Sequence, residues 1–246
     1  MASTVDEDLA ALRATSDAMV AIDLGKRFQA AGSLNAARAA FQKASQLAQF
    51  EFQKGTAALL LGGVLEKLHD FAGAERAFGD AIATESPDLV PVAAFGLALM
   101  RIDLGDSDGA VRALRITVAS THRVAPRAAL ELGHLLSQAG DGVGARAAWG
   151  RAVESADPVA SPRGRLRIAM LDYKEGDRDA AIGVIRELAR SAPKRVAVSA
   201  AYFLGMKLGQ EGHIEEARVA LEPLLTCGEL LWVTRAQQAL RRFLQH

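Results

Sequence analysis

The sequence predicts an all-α fold, a solenoid of about six two-helix repeats closed by a C-terminal helix, and three observations carry that prediction. Hinge positions at Gly32, His69, Gly105, Gly140, Gly176 and Gly212 recur 35 to 37 residues apart. A period in this range, with two amphipathic helices and a tight turn per unit, buries its apolar face only when neighbouring units stack. No segment combines period-two alternation with β-branched enrichment, so strands are not expected. Half the residues are apolar but only 5% are aromatic, the composition of helices packed through small contacts rather than around one bulky core.

The elements follow in chain order. Residues 1–17 form an N-terminal helix or extension, since Thr4-Val5-Asp6-Glu7 has capping-box spacing and a helix should begin near Val5. Thr15-Ser16-Asp17 could cap a second start, leaving one helix or two open. Repeat 1 (18–54) runs helix A to about Ala31 and helix B from Leu34 to about Phe50, with Ala37, Ala40, Phe41, Ala44, Leu47 and Ala48 in one stripe. Repeat 2 (55–90) stops at Ser86-Pro87. Pro91, Pro126 and Pro162 open repeats 3 (91–125), 4 (126–161) and 5 (162–197), at a position where proline loses no hydrogen bond. Repeat 6 (198–228) carries Pro223 late in helix B, which should kink or shorten it.

Residues 229–246 break the repeat. Val233, Ala236, Leu240, Phe243 and Leu244 share one face, while Arg235, Gln238, Arg241, Arg242 and Gln245 lie elsewhere. This is the pattern of a capping helix with a polar outer side. The alternative is a basic amphipathic helix for an acidic surface or membrane.

Glycine inside a helix is about 1 kcal/mol worse than alanine, so Gly25, Gly62, Gly133 and Gly205 predict close approach of another helix. Ala37, Ala74, Ala110, Ala145, Ala181 and Ala217 match them on helix B, and the bulky residue four positions later fills the wedge between units. His69 is the exception among the hinges; its turn must change shape or tolerate a side chain.

In repeat 1 the residues are Leu24-Gly25, Phe28, Gly32, Ala37, Phe41 and Ala44; in repeat 2, Leu61-Gly62, Leu65, Ala74, Phe78, Ala81 and Pro87; in repeat 4, Leu132-Gly133, Leu136, Gly140, Ala145, Trp149, Ala152 and Pro158. This pattern resembles the tetratricopeptide repeat family over residues 18–228, and the resemblance implies a right-handed α-solenoid. Repeats 3, 5 and 6 depart from it: Ala98 and Ala169 replace the helix A glycine, Leu114, Ile185 and Leu221 replace the helix B aromatic, and Thr117, Leu188 and Leu224 replace the late alanine.

Catalytic chemistry is not expected. Gly140-Asp141-Gly142-Val143-Gly144-Ala145 superficially resembles a nucleotide loop, but that motif requires a preceding strand. His69, His122, His134, His213 and His246 have no partner at metal-ligand spacing, so neither metal nor cofactor is predicted. Glu215-Glu216 and Asp103 with Asp106 read as helix starts and solvated turns. Cys227 is the sole cysteine, set among leucines as a small apolar residue. With 29 basic and 29 acidic residues, bulk charge favours neither a nucleic-acid coat nor a membrane-surface protein. No secretory signal or membrane-spanning window is read, so a cytoplasmic protein is expected.

Binding remains. The resemblance implies a concave wall built from A helices, and its pattern selects Lys26, Gln29, Glu66, Phe95, Leu99, Ile102, Arg127, Leu130, His134, Arg163, Leu166, Met170, Tyr173, Tyr202 and Met206. Of these, Phe95, Leu99, Arg127, His134, Arg163, Met170, Tyr173, Tyr202 and Met206 form the candidate groove for a protein or peptide partner of acidic character. The other reading is that several are core, misassigned by one helical position. The carboxylate clamp of chaperone-binding members is absent, since Lys26, Gly63 and His134 follow the helix A glycines instead of Asn. The expected function is a non-enzymatic interaction scaffold or regulatory adaptor, with no small-molecule ligand. The alternatives are an RNA-binding helical-repeat protein, which an electrophoretic shift with mixed RNA would reveal, or the sensory partner of an enzyme or transcription factor.

Overall fold

The computed structural model describes residues 4–244, and these form α-helices joined by short turns, with one 3-10 helix. They divide into two compact units, one within residues 1–135 and one within 136–246, with the boundary inside one helix. The first unit contains α1 (Thr4–Ala14), α2 (Ala18–Ala30), α3 (Leu34–Leu47), α4 (Glu51–Lys67), α5 (Phe71–Ala83), α6 (Val90–Asp103), α7 (Ser107–Val118) and most of α8 (Ala125–Gln138). The second contains α9 (Gly142–Glu154), α10 (Ala160–Glu175), α11 (Arg178–Ser191), α12 (Lys194–Gln210), α13 (Ile214–Leu221), a 3-10 helix (Glu222–Thr226) and α14 (Leu230–Leu244). Within each unit, helix pairs such as α2 with α3 and α12 with α13 pack together, and each pair packs on the next.

The hinges are uniform. Gly32, Gly105, Gly140, Gly176 and Gly212 take φ between 74° and 111°, and His69 joins them at 59°. In all six turns the residue after the hinge donates its N–H to a carbonyl five residues back, from Ser33 to Phe28 (2.9 Å) through His213 to Leu208 (2.9 Å). This bond satisfies a carbonyl that the helix end would otherwise orphan. His69 therefore tolerates the left-handed conformation rather than changing the turn, and its ring meets Phe71 edge-on with centroids 5.7 Å apart. Asp70, Asp106 and Asp141 cap the following helices, each accepting from a glycine N–H three residues on at 2.8 to 2.9 Å. The apparent nucleotide loop is such a turn: Gly140 is the hinge, Asp141 the cap and Gly144 the donor.

Small residues seat large ones between helices. A Cβ on Gly62 would lie 2.8 Å from the Phe78 ring, and one on Gly96 2.9 Å from the same ring, so Phe78 of α5 is held between α4 and α6. Thr117, at the late-alanine position of repeat 3, is fully buried and donates its hydroxyl to the Pro91 carbonyl at 3.2 Å.

At the N-terminus α1 and α2 are separate helices, because Asp17 caps the second by accepting from Met19 N–H at 2.7 Å. Lys43 donates to the Leu12 and Arg13 carbonyls at 2.6 and 2.9 Å, satisfying the end of α1. Three boundaries shift from expectation. α3 ends at Leu47 rather than near Phe50, because the Gln53 side chain takes the Gln49 and Phe50 N–H groups at the start of α4. α5 ends at Ala83, ahead of Ser86-Pro87, with Glu85 at φ 53°. α12 begins at Lys194 rather than Val198, since Pro193 supplies a fixed φ for a helix start after extended Ala192.

Pro223 shortens α13 as expected, and the chain continues as the 3-10 helix. α14 caps the second unit: Ala236, Ala239 and Phe243 are buried and Val233 and Leu240 half-buried, with Arg235, Gln238, Arg241 and Arg242 exposed. The Phe243 ring lies over Gly209 of α12, where no Cβ would fit. The expected parts played by the Leu244 side chain, Gln245 and His246 fall outside the described residues.

Candidate partner-binding surfaces

In the first unit the predicted wall is carried by α6 and α8. Phe95 is buried, 7% exposed, and contributes chiefly as a seat for Arg127, whose guanidinium carbon lies 5.3 Å from the ring centroid. Leu99 is half-buried one turn further along α6, and His134 is exposed two turns beyond Arg127. Of the other positions selected, Lys26 pairs with Asp23 of its own helix at 3.4 Å. Glu66 is half-buried. Burial first and neighbouring Asp103 second push its carboxyl above the ordinary range, against the pull of Lys67. The α4–α6 end of this surface is thus acidic, and the α8 end basic.

In the second unit α10, α12 and α14 present a more developed surface. Tyr173 is 9% exposed; it donates its hydroxyl to Glu211, which also takes Arg178 at 3.3 Å. Burial first, then the hydrogen bond and charge of Glu211, hold the phenol above its ordinary value, with Arg178 opposing. Phe203 meets Tyr173 edge-on with centroids 5.7 Å apart. Lys207 Nζ lies 5.5 Å from the Tyr173 centroid and 5.6 Å from that of Phe203, so one ammonium serves two rings. A second group follows: Tyr202 against Trp232 at 5.4 Å, with Arg235 over the indole at 5.3 Å. Met170, Tyr202 and Met206 are half-buried, packed by one side on the core. Arg163 is half-buried and makes no ion pair among the described residues. Leu166 is core, at 5% exposure.

Phe203, Lys207, Arg178, Glu211, Trp232 and Arg235 were not selected from sequence. Phe203 and Lys207 stand at i, i+4 and Trp232 and Arg235 at i, i+3, both spacings that bring side chains together on a helix. That was the available signal.

Among the described residues no group of three or more His, Cys, Asp or Glu side chains could hold a metal ion. His213 approaches Glu216 only at 3.9 Å, and His122 accepts from the Val124 N–H beside it at 3.3 Å. Among those residues no helix is long and apolar enough to cross a membrane.

A family model described as tetratricopeptide repeat matches residues 22–90 and 95–161. No curated protein matches the chain. Among solved structures, the C-terminal part of a TPR repeat-containing protein from Cytophaga hutchinsonii superposes with a TM-score of 0.70 at 12% identity, covering 94% of each chain. PilF of Pseudomonas aeruginosa gives 0.62 at 18% identity over 99% of each chain. YrrB, described as a TPR protein with an unusual peptide-binding site, gives 0.54 at 16% identity over 76% of this chain and 91% of its own.

Proposed function

This chain belongs to the tetratricopeptide repeat family, whose fold generally mediates protein–protein interaction and is typically non-catalytic, and from that premise we propose that it is an interaction scaffold or regulatory adaptor whose A helices bind a peptide or protein segment. The repeats fall at about 18–54, 55–90, 91–125, 126–161, 162–197 and 198–228 on this reading, with the partner meeting Phe95, Leu99, Arg127 and His134 in the first unit and Arg163, Met170, Tyr173, Tyr202 and Met206 in the second. The observation that carries it is Lys207 laid over both Tyr173 and Phe203. Cations already seated on rings are pre-organised, so a partner carboxylate meets a positive charge whose position is fixed without further loss of side-chain entropy.

The partner segment is acidic, with bulky apolar residues between its carboxylates. Tyr202, Met170 and Met206 offer aromatic and thioether surface to those apolar anchors, which supply most of the affinity. Each exposed contact of an arginine with a carboxylate adds only about 0.2–1 kcal/mol and sets register. The peptide-binding site of YrrB, a protein of the same fold, is in keeping with a peptide ligand.

The test begins with a pull-down from the native host and mass spectrometry. Affinity for the partner found is then measured at two salt concentrations with the parent, Arg127→Glu/Arg163→Glu and Tyr202→Ala. Salt and charge reversal should both weaken binding, and Tyr202→Ala should weaken it at both salt concentrations. A folded double variant that binds as well as the parent at both salts removes the A-helix surfaces from the reading.

A further inference from the structure

A half-open cleft of about 750 Å³ lies in the second unit where α11, α12 and α13 meet. Its floor is Ala197, Ala201, Leu204 and Leu208, on the side of α12 turned away from Tyr202 and Met206, and none of the proposed A-helix contacts lines it. Its origin lies in one proline. The B helices α3, α5, α7, α9 and α11 have 12 to 14 residues, but α13 has 8. Pro223 has no N–H to extend an α-helix, so the chain tightens into the 3-10 helix, whose Pro223 and Leu224 form the cleft wall after α13 ends.

Charge along the cleft is unevenly balanced. Arg186 of α11 reaches across to Glu216 of α13 at 2.9 Å, and Glu215 takes Arg218 at 3.1 Å, so both wall carboxylates are neutralised. Arg190 and Lys194 line the same cleft, are exposed, and have no carboxylate partner among the described residues. Two positive charges are left facing whatever occupies an apolar trough.

We propose that this cleft receives a short amphipathic helix from a partner protein, lying along α12 between α11 and α13, with acidic residues on the edge that faces Arg190 and Lys194. Length favours this occupant. From Ala197 to Leu208 the floor runs about 17 Å at 1.5 Å per residue, three turns, which suits apolar anchors at i, i+3 or i+4, and i+7. The alanines leave depth for large anchors at one end, and Leu204 and Leu208 make the other end shallower. A half-open cleft fits a rod with one apolar face better than a thin acyl chain, which a closed tube would grip. The cleft is a separate surface from the A-helix wall, so the two readings fail independently.

The test uses three fluorescein-labelled synthetic helices of about 14 residues with identical apolar anchors, differing in a Glu-bearing edge, a Lys-bearing edge or scrambled order. Anisotropy gives affinity for the full chain. Cys227, the one cysteine of the sequence and part of the cleft lining, reports location through its alkylation rate with neutral N-ethylmaleimide. The acidic-edged helix should bind about tenfold tighter than the basic-edged one and slow Cys227 alkylation. Arg190→Glu/Lys194→Glu, at two exposed positions that leave the fold untouched, should invert that order, and Ala201→Trp should fill the floor and abolish protection. Equal affinity of the acidic and basic helices, an order unchanged by the double variant, or undiminished alkylation would overturn the proposal. So would sodium dodecanoate protecting Cys227 where none of the helices does, since the cleft would then be a site for a small amphiphile.

Discussion

Phe78 is seated between two glycines, and that arrangement fixes the sign of a double substitution. Gly62→Ala alone carries two opposed effects. In an exposed helix the change would add about 1 kcal/mol through helix propensity. Here the new methyl would stand 2.8 Å from two ring carbons of Phe78, and overpacking of a filled core is worth about 1–3 kcal/mol against the fold. The ring also lies close to α6, since a Cβ on Gly96 would stand 2.9 and 3.0 Å from its Cε1 and Cζ. The net expectation is destabilisation of up to about 2 kcal/mol, or about 2–4 °C in Tm per kcal/mol for a chain of this size.

Other repeats of the same chain supply the control. In repeats 3 and 5 the B-helix residue is aliphatic, Leu114 and Ile185, and the helix A position holds buried Ala98 and Ala169, whereas repeat 6 keeps Gly205, where a Cβ would lie 2.4 Å from Leu221. Gly62→Ala should therefore regain its propensity advantage in a Phe78→Leu background, giving a coupling of about 1–3 kcal/mol between the two sites. Denaturant titration followed by circular dichroism on the parent, both single variants and the pair measures it. If Gly62→Ala stabilises the parent by the full propensity value, the ring is not wedged and the account of why these helices carry glycine is wrong.

Four further outcomes follow from the described contacts. Glu66 has a raised folded pKa, so its contribution to stability is full below the ordinary carboxyl value and is lost as pH rises through the folded one. Glu66→Gln should thus be more stable than the parent at pH 7, with the advantage vanishing near pH 3 in paired thermal melts. Tyr173 is also raised; its contribution holds below about 10, its ordinary value, and is lost as pH climbs through the higher folded value. Tyr173→Phe should remove the later-ionising phenol from a spectrophotometric titration and flatten the alkaline fall in stability. Phe243→Ala should destabilise the second unit by about 3–5 kcal/mol, and deleting residues 229–246 should expose the α12 face that α14 covers and lower solubility; a monodisperse truncation with unchanged Tm would make α14 dispensable.

Much of the fold was legible because its determinants are local. The hinge needs a left-handed residue at one position, the helix start tolerates proline at another, and both recur at one period, so spacing alone located even His69, where residue type argued against a hinge. The boundaries that moved depend on side chains reaching back to the backbone, as Gln53 does to Phe50, and composition does not announce such bonds. The capping role of Asp70, Asp106 and Asp141 was readable in principle as Asp followed by Gly three residues later. The glycine there is explained by the carboxylate, which occupies the space a Cβ would need.

The binding surfaces were legible only to the level of the helix. Counting from the helix A glycine selects positions in 100° steps, and at that coarseness the open wall and the packed seam are neighbours. Phe95 and Tyr173 consequently sit inside, each with a cation laid on the ring that remains accessible. What fixes a side chain's direction here is the adjoining repeat: Tyr173 is held by Glu211, 38 residues away at the C-terminal cap of the next A helix. The cleft beside α12 lies further still from sequence. Pro223 announces a shortened helix, yet the cleft beside it is floored by a different helix, and the charges that would recognise an occupant come from α11 and the start of α12. Its occupant is therefore selected by two positive charges left without counter-charges at that point, rather than by a motif that any single repeat displays.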